Sequence, residues 1–199
     1  MDQKSHEING LSLAFPTSPR HETERLVLRE VRSEHQRYLA LKAPAGKARA
    51  FLQIRNDADW LQERMKAKDS KNNWGTNICR FLLFDKATGA PVGACGFHNW
   101  VPLHRRAEVG YALLDDRWKR QGIMTEALEF VMQFGFNNLH LLRIEACIGP
   151  WNDASIGLIQ KLGFKQEGLM RQHYVRNGIP EDSLLFALLE QEYQPIQHL

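Results

Sequence analysis

Along most of the chain, apolar residues either alternate with polar ones or run unbroken over short stretches, and in a few places they recur at steps of three and four. Arg25 to Val31 puts Leu26 and Leu28 on one side and reads as a strand that opens the sheet. Within 47–68 the set Phe51, Ile54, Ala58, Leu61 and Met65 has the stripe of an amphipathic helix, with that stripe facing the core. Asn77 to Phe84 and Pro91 to Phe97 are apolar runs joined by Asp85-Lys86-Ala87-Thr88-Gly89, the pattern of an antiparallel hairpin. A strand follows at Ala107 to Leu114, then a helix opened by Gly122 and running to about Asn137, then a strand at Leu142 to Ile148. The two strands of such a unit run parallel with a right-handed crossover. A second helix spans Asn152 to Leu162. Phe164 to Tyr174 and Asp182 to Leu189 are two further strands, parted by the turn Arg176-Asn177-Gly178. Strands and helices so interleaved place the chain in the mixed α/β (α+β) class. Residues 1–22, with Gly10, Pro16 and Pro19 among polar residues, read as an arm of low order or an oligomer contact, and 23–199 as a single domain.

The length of 199 residues suits one domain, and 43% hydrophobic with 25% charged residues is enough to bury an ordinary core. A net charge of +3 is too small to argue for a nucleic-acid partner, so any anionic ligand has to be recognised locally. No apolar run approaches the roughly 18 residues of a membrane span, and Met1 to Gly10 lacks the apolar stretch of a secretory signal, so a cytoplasmic protein without a membrane partner is expected. Cys79, Cys95 and Cys147 show no CxxC spacing and sit among apolar neighbours, where they read as buried small hydrophobes. Cys95, His98 and His104 are too few and too irregularly spaced for a zinc site, and no metal is expected.

The strongest local chemistry lies at the loop from Asp115 to Gly122, which joins a strand to a helix N-terminus. Unpaired backbone N–H groups and the positive end of the helix dipole favour an anion there. Arg117, Lys119 and Arg120 add positive charge, and Gly122 lets a phosphate approach the backbone. The loop fits neither G-x-x-x-x-G-K-[ST] nor G-x-G-x-x-G, which leaves an anion site and a merely solvated basic turn as the two readings.

Lys119-Arg120-Gln121-Gly122-Ile123-Met124 resembles the acyl-CoA pyrophosphate loop of the GNAT superfamily: Gln or Arg, two residues, Gly, one residue, then Gly or Ala. Lys119 and Met124 depart from that pattern. Met at this place, Trp118 and Thr125-Glu126-Ala127 are similar to the branch that holds the ribosomal-protein N-terminal (alanine/serine) acetyltransferases. Pro150 to Phe164 resembles that branch's P-x-N-x-x-S-x-x-L-x-x-x-L-G-F signature, and Arg25 to Arg29, Trp100 and Ala107 to Tyr111 also match, so the resemblance covers roughly residues 23–190. It implies a mostly antiparallel sheet with a central parallel pair flanked by helices. It also implies acetyl-CoA as cosubstrate, bound by the loop Lys119, Arg120, Gln121, Gly122, Ile123, Met124 and Thr125 and by the strand backbone of Leu113 and Leu114.

Asn152 suits a helix N-cap, and the resemblance adds a hydrogen bond to the pantetheine arm. Ser155 is implied as the acid that assists thiolate departure, since the Tyr used by many relatives falls at Ile159 here; Tyr174 and Tyr111 compete for that role. Glu108, eleven residues ahead of Lys119, stands where histone-acetylating members of the superfamily carry a general base. It also suits an outward-facing strand carboxylate or an ion-pair partner of Arg105 or Arg106. Asp182, His98 and His173 are further candidates.

The implied reaction moves an acetyl group to a primary amine, either the N-terminal α-amine of a protein or a small amine. An α-amine with a pKa of about 7.7 to 8.0 loses its proton far more readily than a lysine near about 10.4. The alternative is a non-catalytic acyl-CoA-binding or regulatory module of the same fold, for which the departures at Lys119 and Met124 speak. A homodimer is the candidate assembly, and a nucleic-acid partner is not expected.

Overall fold

The computed structural model describes residues 18–31, 33–52, 54, 56–68, 78–176 and 178–195. Among the described residues eight strands and five α-helices follow one another: β1 Arg20–Glu22, β2 Leu26–Val31, α1 Ser33–Leu41, α2 Ala45–Phe51, α3 Asp57–Lys68, β3 Cys79–Asp85, β4 Pro91–Val101, β5 Arg106–Leu113, α4 Ile123–Asn137, β6 Arg143–Ile148, α5 Asp153–Lys161, β7 Lys165–Arg176 and β8 Ile179–Leu189. The strands are hydrogen-bonded in the order β1-β2-β3-β4-β5-β6-β8-β7. The sheet is mostly antiparallel, and β5 with β6 is its parallel pair. The expected mixed α/β architecture is therefore present.

Contacts divide the chain into two compact units, one of residues up to Cys95 with Ala112–Ile123, the other of Gly96–Tyr111 with Met124–Leu199. In the first, β2 pairs antiparallel with β3 from Leu26↔Asp85 to Val31↔Arg80. Val27, Val31, Leu82, Phe84 and Ala94 form a core closed by Leu39 of α1, Ala48 of α2 and Leu52, with Trp60 packed against it.

Two expectations are corrected in this unit. Arg25 to Val31 does not open the sheet, because β1 pairs with β2 outside it, Arg20↔Arg29 to Glu22↔Val27, so the end of the expected arm is strand. Residues 1–17 lie outside the described residues, as does the predicted strand start at Asn77. The single helix expected over 47–68 is two helices, and of the stripe Ile54 packs against the core while its α3 part does not: Leu61 and Met65 are 60% and 62% exposed, and Ala58 is exposed too. Asn56 is the reason. Its Oδ1 accepts from the Asp59 N–H at 2.8 Å, an N-cap that starts a new helix and resets the phase. The inward face becomes Trp60, Glu63 and buried Ala67, with Glu63 hydrogen-bonded to the buried Gln36 of α1.

In the second unit α4 presents Ala127, Leu128, Val131 and Met132 as a fully buried stripe, and its span of Ile123–Asn137 matches the helix expected from Gly122 to about Asn137. β6 pairs antiparallel with β8 along its whole length, Arg143↔Leu189 to Ile148↔Leu184, and β7 closes the sheet beyond β8. β5 is different: it pairs with β6 only from Arg106↔Arg143 to Glu108↔Glu145.

Candidate active site

Where β5 and β6 stop pairing, a cavity of about 280 Å³ opens between Val109–Tyr111 on one strand and Ala146–Gly149 on the other. A volume below the roughly 300 to 1,000 Å³ of most small-molecule pockets suits the end of a ligand rather than a whole one. His98, Glu108, Tyr111, Cys147, Trp151, Asn152, Ser155, Tyr174 and Arg176 line it. The sequence named most of these separately; the parallel-strand splay brings them together.

Glu108 is 8% exposed and holds two partners on its two oxygens. Asn99 donates through Nδ2 to Oε2 at 2.8 Å, and the Nε2 of His98 lies 3.3 Å from Oε1. Neither arginine pairs with it, which removes the ion-pair reading: Arg106 meets Glu145 at 2.9 Å and Arg105 donates to the His140 carbonyl at 2.6 Å. Burial, the largest influence, pushes the Glu108 pKa up, but hydrogen bonds from His98, Asn99 and Cys147 and the charge of His98 together hold it below the usual carboxylate range. Cys147 hydrogen-bonds the same carboxyl, and burial followed by the Glu108 charge pushes its thiol up to about 12. Of the three cysteines expected to be inert core, Cys79 and Cys95 are buried, while Cys147 is half-buried and forms part of the cavity wall.

Tyr174 reaches the cavity through an irregularity in β7, whose register with β8 shifts between Met170 and Tyr174. Gln172 sits there at φ +51°, and its N–H donates to the Asp182 Oδ1 at 2.7 Å. Asp182 is thus tied to the β7 backbone and is not among the lining residues. Burial and then the charge of Glu108 push the Tyr174 phenol above its ordinary value. His173 lies against Tyr174 with ring centroids 4.2 Å apart and does not line the cavity.

On α5 the Asn152 side chain accepts from the Ser155 N–H at 3.2 Å, the expected N-cap. Ser155 lines the cavity and Tyr111 donates to its carbonyl at 3.4 Å. Ile159, one turn on, is wholly buried, so no group from that position reaches the cavity. Trp151 and Arg176 form a cation–π pair at 5.1 Å on the same wall. Asn99, Cys147, Trp151 and Arg176 were not singled out from sequence as site residues, and only Asn99, a turn-favouring residue in an apolar strand, carried a signal.

In the first unit, the loop before α4 makes a short 3-10 turn at Asp116–Trp118 and then two left-handed steps, Arg120 at φ +58° and Gly122 at φ +73°. Arg25 donates to the Gln121 carbonyl at 2.8 Å, and a Cβ on Gly122 would stand 3.5 Å from its other terminal nitrogen. A guanidinium therefore borders the glycine, which fits an anion held by loop backbone and arginine together. Lys119 is ion-paired with Asp116 at 2.6 Å, and Arg117 stacks over Trp118 at 4.9 Å. Ile123 and Met124 are buried and Thr125 half-buried, so the first two offer a ligand their backbone N–H groups, not their side chains. The Leu114 N–H is engaged with the Val92 carbonyl at 2.9 Å, so strand alternation leaves Leu113, not Leu114, directing its N–H to the opposite edge.

A profile of the acetyltransferase (GNAT) domain matches residues 25–165, which spans the basic loop, the splayed strands and α5. The chain belongs to the GNAT acetyltransferase family. Its similarity to the uncharacterized N-acetyltransferase YoaA of Bacillus subtilis (strain 168) is 31% identity over 85% of this chain and 96% of the relative. The [ribosomal protein uS5]-alanine N-acetyltransferase of Escherichia coli (strain K12) is 31% identical over 58% of this chain and 59% of its own. In fold, the GNAT chain is similar to the crystal structure of a ribosomal-protein-S5-alanine acetyltransferase from Vibrio fischeri, with a TM-score of 0.65, 22% identity, and 89% and 100% of the two chains covered. The protein is an N-acetyltransferase of a family that uses acetyl-CoA. Among the described residues of this GNAT chain no three His, Cys, Asp or Glu are grouped to hold a metal ion, and no helix is long and apolar enough to cross a membrane.

Proposed function

We propose that the amine acceptor is the N-terminal α-amine of a protein, with a small amine as the other class, and that Glu108 takes the acceptor's proton. One observation carries this: Glu108, held ionised by His98, Asn99 and Cys147, lines the cavity opened by the splayed strands. A carboxylate with a lowered pKa is a weak base, suited to an amine already near neutrality, about 7.7 to 8.0 for an α-amine against about 10.4 for a lysine. The alanine acceptor in the name of the Escherichia coli relative supports the same class.

Acetyl-CoA supplies the activated thioester. The loop from Lys119 to Thr125, with Arg25, would hold its phosphates by backbone N–H groups and guanidinium charge, and Asn152 and the strand edge at Leu113 its pantetheine amides. Glu108 receives the proton from the amine, directly or through one water. The backbone N–H groups of Val109 and Tyr111, which alternation turns away from β4, would meet the negative charge that grows on the carbonyl oxygen. Ser155 donates a proton toward the departing sulfur, with Tyr111 beside it.

The test is mass spectrometry after incubation with acetyl-CoA and a panel of free N-terminal peptides, N-blocked lysine peptides, and polyamines. A gain of 42 Da on α-amines alone supports the reading. Transfer confined to lysine or polyamine nitrogens refutes the acceptor, and no transfer to any amine refutes the activity.

A further inference from the structure

We infer that His98 is the proton exit of this site, relaying to solvent the proton that Glu108 receives; the inference rests on the acetyl-transfer reading above. Glu108 needs such an exit because its side chain is only 10% exposed, whereas that of His98 is 39% exposed. Every transferred acetyl group leaves one proton behind. If it stays on Glu108, the next amine finds no base.

The backbone is shaped to make this contact. In a regular strand, neighbouring residues point to opposite faces, yet His98 and Asn99 both reach Glu108. Asn99 at φ +49° is what allows it: the left-handed step turns the strand so that consecutive side chains grip the two oxygens of one carboxylate. Asparagine is among the few side chains that take this conformation readily. Gly110 supplies the seat. A Cβ there would fall 3.0 Å from the His98 Cε1 and 3.1 Å from its Nδ1, so any other residue would make the ring give by a few tenths of an ångström.

The other groups around Glu108 are poorly suited to passing a proton. Asn99 on β4 does not titrate, and Cys147 on β6 and Tyr174 on β7 are both pushed to hold their protons more tightly. An imidazole is the side chain that takes and gives protons near neutrality. In the step, an N–H bond of the substrate ammonium breaks and Glu108 gains the proton. The carboxylic acid then passes it to the Nε2 of the neutral Nδ1–H ring, giving an imidazolium whose Nε2–H donates to the again ionised Glu108. The imidazolium gives up its Nδ1 proton to water, and proton exchange with water returns the ring to the Nδ1–H tautomer for the next turnover.

His98→Gln keeps a hydrogen-bond donor for Glu108 and cannot titrate. His98→Ala leaves a hollow beside Gly110 open to solvent. The relay predicts that both lower kcat at pH 7 by ~10- to 100-fold, below the full effect of losing a general base, while KM for acetyl-CoA stays within twofold. Imidazole in the buffer should restore the Ala variant in proportion to its concentration, with substituted imidazoles following their basicity, and should leave the Gln variant unchanged. The pH profile of kcat should differ from that of the wild type in both. His98→Gln with wild-type rate and profile, while Glu108→Gln is inactive, overturns the relay and leaves acetyl transfer standing. A folded His98→Ala that no imidazole rescues also overturns it. Absence of any transfer by the wild type removes the reading underneath.

Discussion

Gly122→Val tests whether the loop before α4 is an anion cradle or a basic turn. At φ +73° the position lies in the left-handed region, which costs an ordinary L-residue about 1–2 kcal/mol, and a β-branched one most. Space is not the obstacle, because the added Cβ would stand at 3.5 Å from the Arg25 guanidinium, ordinary contact. The ligand-free protein should thus lose about 1–2 kcal/mol, which at about 2–4 °C per kcal/mol lowers Tm by roughly 2–8 °C. Acetyl-CoA at ~100 times its Kd should add ~2.7 kcal/mol to the wild type, roughly 5–11 °C. In the variant this second shift should nearly vanish, since the branched side chain occupies the approach to the backbone N–H groups. Differential scanning calorimetry with and without acetyl-CoA measures both shifts on one sample. A variant that loses ligand-free stability yet keeps the full ligand shift means that Gly122 serves the turn alone. A wild type with no ligand shift removes the cradle. An unchanged ligand-free Tm in the variant contradicts the left-handed backbone itself.

Ser155→Ala should lower turnover by ~10² with acetyl-CoA affinity within a few-fold, because its proposed contact is with the departing sulfur; equal loss of both, by calorimetry and steady-state rates, would assign Ser155 to ligand binding. Glu108→Gln should lower the rate at pH 7 by ~10² to 10⁴, with partial recovery at pH 9 where more acceptor is already neutral. Its stability effect has a defined sign. The lowered Glu108 pKa stabilises the native state above the unfolded-state value, and that contribution is lost as pH falls through the native value. Urea melts should therefore separate wild type from Glu108→Gln at pH 7 and converge in acid; a gap that widens in acid contradicts the ionised Glu108. Cys147, with its thiol at about 12, should react with iodoacetamide at pH 7.5 ~10³ times more slowly than an exposed cysteine, and faster in Glu108→Gln, which removes the neighbouring charge; labelling as fast as free cysteine would contradict the contact.

The chemistry-bearing blocks were legible because their local rules agree with the fold. Gly122 before a buried-stripe helix, Asn152 as a cap and the apolar runs at β3 and β4 each match propensity, period and position. What the sequence concealed depends on phase and on contacts across strands. A single N-cap at Asn56 rotated the apolar stripe of α3 outward, although every residue in it was read correctly. Buried polar residues hid α1: His35 and Gln36 occupy inward positions that an apolar pattern would have marked. The environment of Glu108 could not be read at all from spacing, since it depends on a left-handed Asn99 and on Cys147 and Tyr174 arriving from β6 and β7.

The backbone irregularities fall into a pattern that bears on how the site behaves. Of the five non-glycine residues at positive φ among the described residues, Asn99, Arg120 and Gln172 lie at or beside a candidate functional position (the Glu108 contact, the basic loop and the bulge that brings in Tyr174), while Arg105 and His140 lie ahead of β5 and β6. Left-handed conformations cost roughly 1 kcal/mol or more each, least for Asn, and persist only where surrounding contacts hold them. Two of the holders are identified: Glu108 accepts from Asn99, and Asp182 accepts from the Gln172 N–H. Asp182 is therefore placed to act on Tyr174 through the β7 backbone, and Asp182→Ala should disturb the Tyr174 wall while sparing the Glu108 carboxylate. The same logic makes Glu108 a structural partner as well as the proposed base. Removing its side chain would lose the contact that keeps Asn99 turned and His98 in place, so the Gln variant, which retains an acceptor oxygen for Asn99, isolates the proton chemistry where Ala would not.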